Sequence, residues 1–195
     1  MNEPRAGMSK ARLEAFSDGV LAVIITIMVL ELSIPHGSTF AALMPLLPLV
    51  LAYALSFIYV GIYWNNHHHM LHATQHIDGS VMWANLHLLF WLSLIPFVTG
   101  WCSENHFAAL PVAMYGVVLL MAAIAYTILQ ARIIKHEGPG SLLGRAVGRD
   151  FKGKVSLLCY IVAIPSVLLS PWIAVALYVL VALIWLVPDS RIEKA

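Results

Sequence analysis

The sequence predicts an all-α polytopic membrane protein with six transmembrane helices in a single domain over residues 1–195. Three observations predict it. The chain is 61% hydrophobic and 11% charged, whereas a soluble domain is about 45–50% apolar and about 25% charged. Its apolar residues gather in six runs bounded by proline, glycine and charge. With six spans, all eleven Lys and Arg fall on one side. The positive-inside rule then puts both termini in the cytoplasm.

The first run covers residues 13–34 and stops before Pro35, His36 and Gly37. The second covers 40–69, with Pro45 and Pro48 in its first two turns, where proline disrupts least. The third covers 81–101 and is kinked at Pro96. The fourth covers 111–134. The fifth, 155–169, and the sixth, 171–187, meet at Ser170 and Pro171 and predict a tight helical hairpin. Between the fourth and fifth runs, Gly138, Pro139, Gly140, Gly144 and Gly148 predict a flexible cytoplasmic loop. Carboxylates flank the first run and no small-residue cleavage site follows it, which does not fit a signal peptide.

Composition also excludes function classes. A net charge of +1 gives no basic field for nucleic acid. Cys102 and Cys159 offer neither a disulfide framework nor zinc spacing. HExxH, GxSxG, P-loop and GxGxxG motifs are missing, so no enzyme class is indicated. The potassium-filter sequence TVGYG is missing too.

The first run is the candidate functional axis. It carries Arg12, Glu14, Asp18 and Glu31, and its uncharged middle, from Gly19 to Leu30, is short for a lipid-facing span. A carboxylate at membrane depth faces protein or a water path. The expectation is a helix shielded by other helices. At about 100° per residue, Val23, Ile27 and Leu30 share one face, continued by Gly19 and Phe16. Thr26 borders that face. Asp18 lies nearly opposite and Ser17 a third of a turn away. One reading is ordinary core with a structural carboxylate. The other is a pore in which copies of the stripe meet and gate by dewetting.

Beyond the second run lie His67, His68, His69, His72 and His76. His68, His72 and His76 have i, i+4, i+8 spacing, the geometry of a metal comb, and imidazole suits Zn, Cu and Ni. No Cys joins them and the nearest carboxylate is Asp78, so the expectation is no metal site. These imidazoles instead satisfy a helix end, and one pairs with Asp18. Glu31, or Glu104 with His106, could attract cations at an outer mouth.

At Arg12-x-x-x-Phe16-Ser17-Asp18 the chain resembles the transmembrane protein 175 potassium channel family in its single-repeat prokaryotic form. The resemblance continues through Tyr63-Trp64-x-Asn66-His67-His68, Pro96-Phe97-x-Thr99 and Pro111 to Tyr115-Gly116. It implies a homotetramer around a pore lined by the first helix. The permeant ion would be potassium, with no cofactor. The partners would be the chain itself, the lipid bilayer and monovalent cations, in a cell inner membrane. The family's constriction carries onto Val23, Ile27 and Leu30, and its selectivity threonine onto Thr26. Its structural polar network carries onto Arg12, Phe16, Ser17, Asp18, Trp64, Asn66, His67 and His68. Two positions depart from the pattern. Val23 stands where Ile or Leu is usual, implying a wider ring. Ala22 stands where some eukaryotic members have serine, implying weaker potassium preference. Two rival readings are a metal-ion or proton-coupled carrier built on the histidines, and a scaffold without transport.

Overall fold

A computed structural model describes residues 9–75, 77–138, 140, 141, 143, 144 and 150–186. The described residues are helical, without strands. Seven α-helices follow in order. They are α1 (Lys10–Leu30), α2 (Leu47–His72), α3 (Gly79–Ser93), α4 (Ile95–Glu104), α5 (Ala109–Glu137), α6 (Phe151–Ser166) and α7 (Pro171–Leu186). The helix boundaries follow local chemistry. α1 stops at Leu30, earlier than the apolar run suggests, with Glu31 as its C-cap. The second run does not begin as α-helix at Phe40. Two 3-10 turns, Phe40–Ala42 and Met44–Leu46, precede α2. Pro45 and Pro48 donate no backbone hydrogen bond, so the regular ladder starts only at Leu47.

Pro96 does more than kink the third run. It breaks it into α3 and α4 at Leu94. The proline ring clashes with the carbonyl four residues earlier, that of Leu92, and offers it no donor. α3 has a firm start: Asp78 accepts the Val81 amide at 2.9 Å, a standard N-cap. α5 ends at Gly138, whose φ of 88° suits a residue without Cβ.

Four helical units are long and apolar enough to cross a bilayer: α1, α2 with its preceding turns, α3 with α4, and α5. The chain is a multi-pass membrane protein. The hairpin helices α6 and α7 have 16 residues each, so each is about 24 Å long. That is less than the roughly 30 Å of a hydrocarbon core.

α5 is the hub. Its buried face, including Leu119, Ala122, Ala125 and Leu129, packs on α3, α4, α6 and α7. Gly116 permits the closest approach. A Cβ there would run into the hydroxyl of Tyr178 on α7. That hydroxyl donates to the Val112 carbonyl at 3.1 Å. A polar joint sits inside the bundle. Thr99 donates to the Ile95 carbonyl at 2.7 Å, which leaves its oxygen to accept from Ser56 at 2.7 Å. Ser56 in turn accepts from Tyr115 at 2.9 Å. Among the described residues no buried side-chain nitrogen or oxygen lacks a partner, as burial in a low dielectric demands.

Candidate functional site: a clamped helix with a free apolar stripe

α1 presents two faces. Leu13, Ser17, Leu21, Ile24 and Met28 recur every three or four residues and are buried against α2, α3 and α4. The opposite face carries Val23, Ile27 and Leu30, which are 54%, 42% and 80% exposed within one chain. Phe16 continues this exposed face. The shielding expected for α1 is therefore one-sided in the single chain. The exposed face borders a groove of about 980 Å³ between α1 and α4. Gly19, Val23 and Ile27 line it from α1, and Phe97, Gly100 and Trp101 from α4. Glu31 folds over Gly100 at the end near the α1 C-terminus, and a Cβ at that glycine would lie 3.6 Å from the carboxylate.

Directional bonds fasten the N-terminal end of α1. Lys10 donates to the His72 carbonyl at 2.7 Å. Asp18 accepts the Trp64 indole N–H at 3.0 Å. Ser17 donates to the Leu13 carbonyl at 2.8 Å and accepts from the Asn85 amide at 2.9 Å. The Asn85 oxygen is then free to accept, and His67 Nε2 lies 2.6 Å from it. His67 must therefore carry its proton on Nε2. All three members of this chain are buried.

The expected network is thus assembled in part. Ser17 and His67 meet through Asn85, and Asp18 meets Trp64. Asp18 takes neither an imidazole nor Arg12. The reason is geometric: His67, one helical turn beyond Tyr63, turns into the bundle, while Trp64 faces α1. Arg12 is exposed, and its side chain makes no hydrogen bond or ion pair among the described residues. Asn66 donates to the Ile62 carbonyl of its own helix and stays apart. His68 is exposed and stacks on Trp64 with centroids 6.3 Å apart. Thr26 is exposed and donates to the Val23 carbonyl at 2.9 Å. Asn85, the bridge, escapes a motif reading. Its signal was a lone amide in an apolar run, since polar side chains in spans serve as interhelical glue.

Of the histidine comb, His68 and His72 have ring centroids 6.2 Å apart, and His76 lies outside the described residues. Among the described residues, no three His, Cys, Asp or Glu side chains gather in metal-holding geometry.

Comparison with known proteins adds a decisive likeness. A protein from a Chryseobacterium species, named as a potassium channel, is 58% identical over 188 residues, covering 96% of this chain and 98% of that one. A model of the family described as "Endosomal/lysosomal potassium channel TMEM175" matches residues 12–96. The chain belongs to the TMEM175 family. A Streptomyces collinus relative, also named as a potassium channel, is 34% identical over 126 residues, 59% of this chain and 60% of its own. Among solved structures, a crystal structure from Chamaesiphon minutus superposes with a TM-score of 0.78 at 27% identity. It covers 90% of this chain and 95% of that chain, and is described as a lysosomal potassium-selective channel TMEM175 homologue. The matched segment of the TMEM175 family model contains α1 from Arg12 onward, the Ser17, Asp18, Trp64, His67 and Asn85 contacts, and the whole exposed stripe.

Proposed function

We propose that this TMEM175 family member is a potassium-permeable cation channel, assembled as a homotetramer around a pore lined by α1. One observation carries the reading. α1 is bonded to its own bundle on one face, while an aliphatic stripe of Val23, Ile27 and Leu30 stays uncovered on the other. In a symmetric ring the stripe becomes three stacked aliphatic rings. Such rings keep a narrow pore dry until it widens, so they act as a constriction. Thr26 spends its hydroxyl proton on its own helix, which leaves oxygen lone pairs to meet a cation. Arg12, Phe16, Ser17, Asp18, Trp64, Asn66, His67 and His68 form the structural surroundings and do not touch the ion. No cofactor enters this mechanism. The protein resides in a cell inner membrane with both termini cytoplasmic, on the one-sided distribution of Lys and Arg.

The test is reconstitution of the pure protein in liposomes with a potassium gradient, followed by single-channel recording. Unitary currents are expected. Saturable flux without unitary currents would favour a carrier, and no flux at all would favour a scaffold.

A further inference from the structure

A second cavity lies away from α1, where α2, α5, α6 and α7 meet near their cytoplasmic ends. It measures about 40 Å³. A cavity needs about 10–15 Å³ to hold one water molecule, together with polar partners. Tyr63 lines it, is 9% exposed, and makes no hydrogen bond among the described residues. No sealed buried oxygen lacks a partner there, so the Tyr63 hydroxyl is open to the cavity. The neighbouring hydroxyls have committed their protons elsewhere. Tyr160 donates to the Tyr59 hydroxyl at 3.3 Å and Thr127 to the Ala123 carbonyl at 2.9 Å. Tyr126 reaches the Asn66 carbonyl only at 3.5 Å. Asn66 spends one amide N–H on Ile62 at 2.8 Å and keeps the other together with its amide oxygen. Half-exposed Asp150 adds a carboxylate to the lining.

The lining therefore offers both lone pairs and protons. An occupant that only accepts hydrogen bonds would find the Tyr63 hydroxyl, the second Asn66 amide N–H and the loosely held Tyr126 hydroxyl, and would leave the lone pairs unused. An occupant with several protons would find many acceptors and ring faces. Lys152 stands over the Trp185 ring, 5.9 Å from its centroid, so both signs of charge border the site. We infer that this cavity binds a small hydrogen-bond donor of the size of water or the ammonium ion, held by the Tyr63 hydroxyl. The occupant bridges α2 and α5 to the α6–α7 hairpin, beside the direct Tyr59 bond to the Tyr178 carbonyl at 2.6 Å.

The experiment uses the full-length purified protein. A high-resolution structure of the unsubstituted protein should show density inside the cavity about 2.7–3.2 Å from Tyr63 Oη. Thermal unfolding of Tyr63→Phe should show a midpoint lower by about 2–4 °C, although the change adds apolar character. Unfolding in ammonium chloride against choline chloride at equal ionic strength separates the two occupants. A rise in ammonium that Tyr63→Phe abolishes assigns the ammonium ion; equal midpoints with density present assign water. A cavity without density overturns the proposal whether or not Tyr63→Phe folds. So does a Tyr63→Phe protein as stable as its parent, or more stable.

Discussion

In the proposed pore, Thr26 and the aliphatic stripe would divide the work between them, and single substitutions separate their roles. Thr26→Val removes the hydroxyl and keeps the shape. The potassium-to-sodium permeability ratio should fall, read as a shift of reversal potential under bi-ionic conditions, while conductance persists. Leu30→Ser or Ile27→Asn should raise basal potassium flux severalfold, because a hydroxyl or amide ring lets water into the constriction. Cysteine scanning from Gly19 to Leu30, without Cys102 and Cys159, checks the facing. Thiol block should recur at 23, 27 and 30 and be weak at Leu21, Ile24 and Met28, which are buried. Asp18→Ala removes the acceptor of the Trp64 N–H and should cost about 0.5–1.5 kcal/mol. The readout is less oligomer on gel filtration, with Asp18→Asn retaining more because it still accepts. Normal assembly with lost flux would instead place Asp18 in the ion's path.

At the scale of elements, the caps and close approaches make their own predictions. The Val81 backbone N–H, then the Ser80 hydroxyl and the His136 imidazole, hold the Asp78 carboxyl below the usual carboxylate range. Its folded-state pKa lies below its unfolded one. The resulting stabilisation is complete above the unfolded value and is lost as pH falls through the folded value. Asp78→Asn keeps an N-cap acceptor at every pH. Its melting temperature should therefore decline less steeply than that of the parent below pH about 4. Gly116→Ala should be destabilising by about 1–3 kcal/mol through overpacking, since the new Cβ displaces Tyr178 from Val112. The gain in helix propensity, about 1 kcal/mol, does not compensate. Denaturation of the detergent-solubilised protein measures the difference. Helix existence was legible from the apolar runs, because burial in lipid or protein forces backbone bonding within each segment. Helix starts were less so. Pro45 and Pro48 pushed the beginning of α2 to Leu47, and Pro96 cut a run that reads as continuous. Asn85 shows the remaining limit. Its residue type announces a polar contact, but only packing of α3 beside α1 and α2 reveals that Ser17 and His67 receive it.

For the molecule as a whole, the short hairpin does not disturb the topology. Four long units return the chain to its starting side before α6 begins. α6 and α7 then leave and come back, whether or not Ser170 reaches the far surface. A C-terminal reporter fusion should score cytoplasmic in either case, and a periplasmic score would overturn the inside placement. Thiol labelling of Ser170→Cys from the outside distinguishes a crossing hairpin from a re-entrant one. The charge bias that predicts this orientation was readable from sequence alone, since it needs only the order of runs and the positions of Lys and Arg. The one-sided exposure of α1 was not, because it depends on which face its neighbours cover.

The polar bonds that fasten α1 to its neighbours, at Lys10, Ser17 and Asp18, lie in its N-terminal half. Above Asp18 the helix touches its neighbours through apolar side chains such as Leu21, Ile24 and Met28, contacts without preferred direction. Mechanically this is a cantilever: fixed at the base, supported but not pinned along its length. Leu30 sits twelve residues beyond Asp18, so the arm is about 18 Å long. A tilt of about 5° at the base moves the tip by roughly 1.6 Å in each subunit. In the proposed tetramer, motion shared by four such arms would change the aperture most at Leu30 and least at Val23. The widest excursions would then fall at the Leu30 ring, while the Val23 ring, nearest the fixed end, would keep its width.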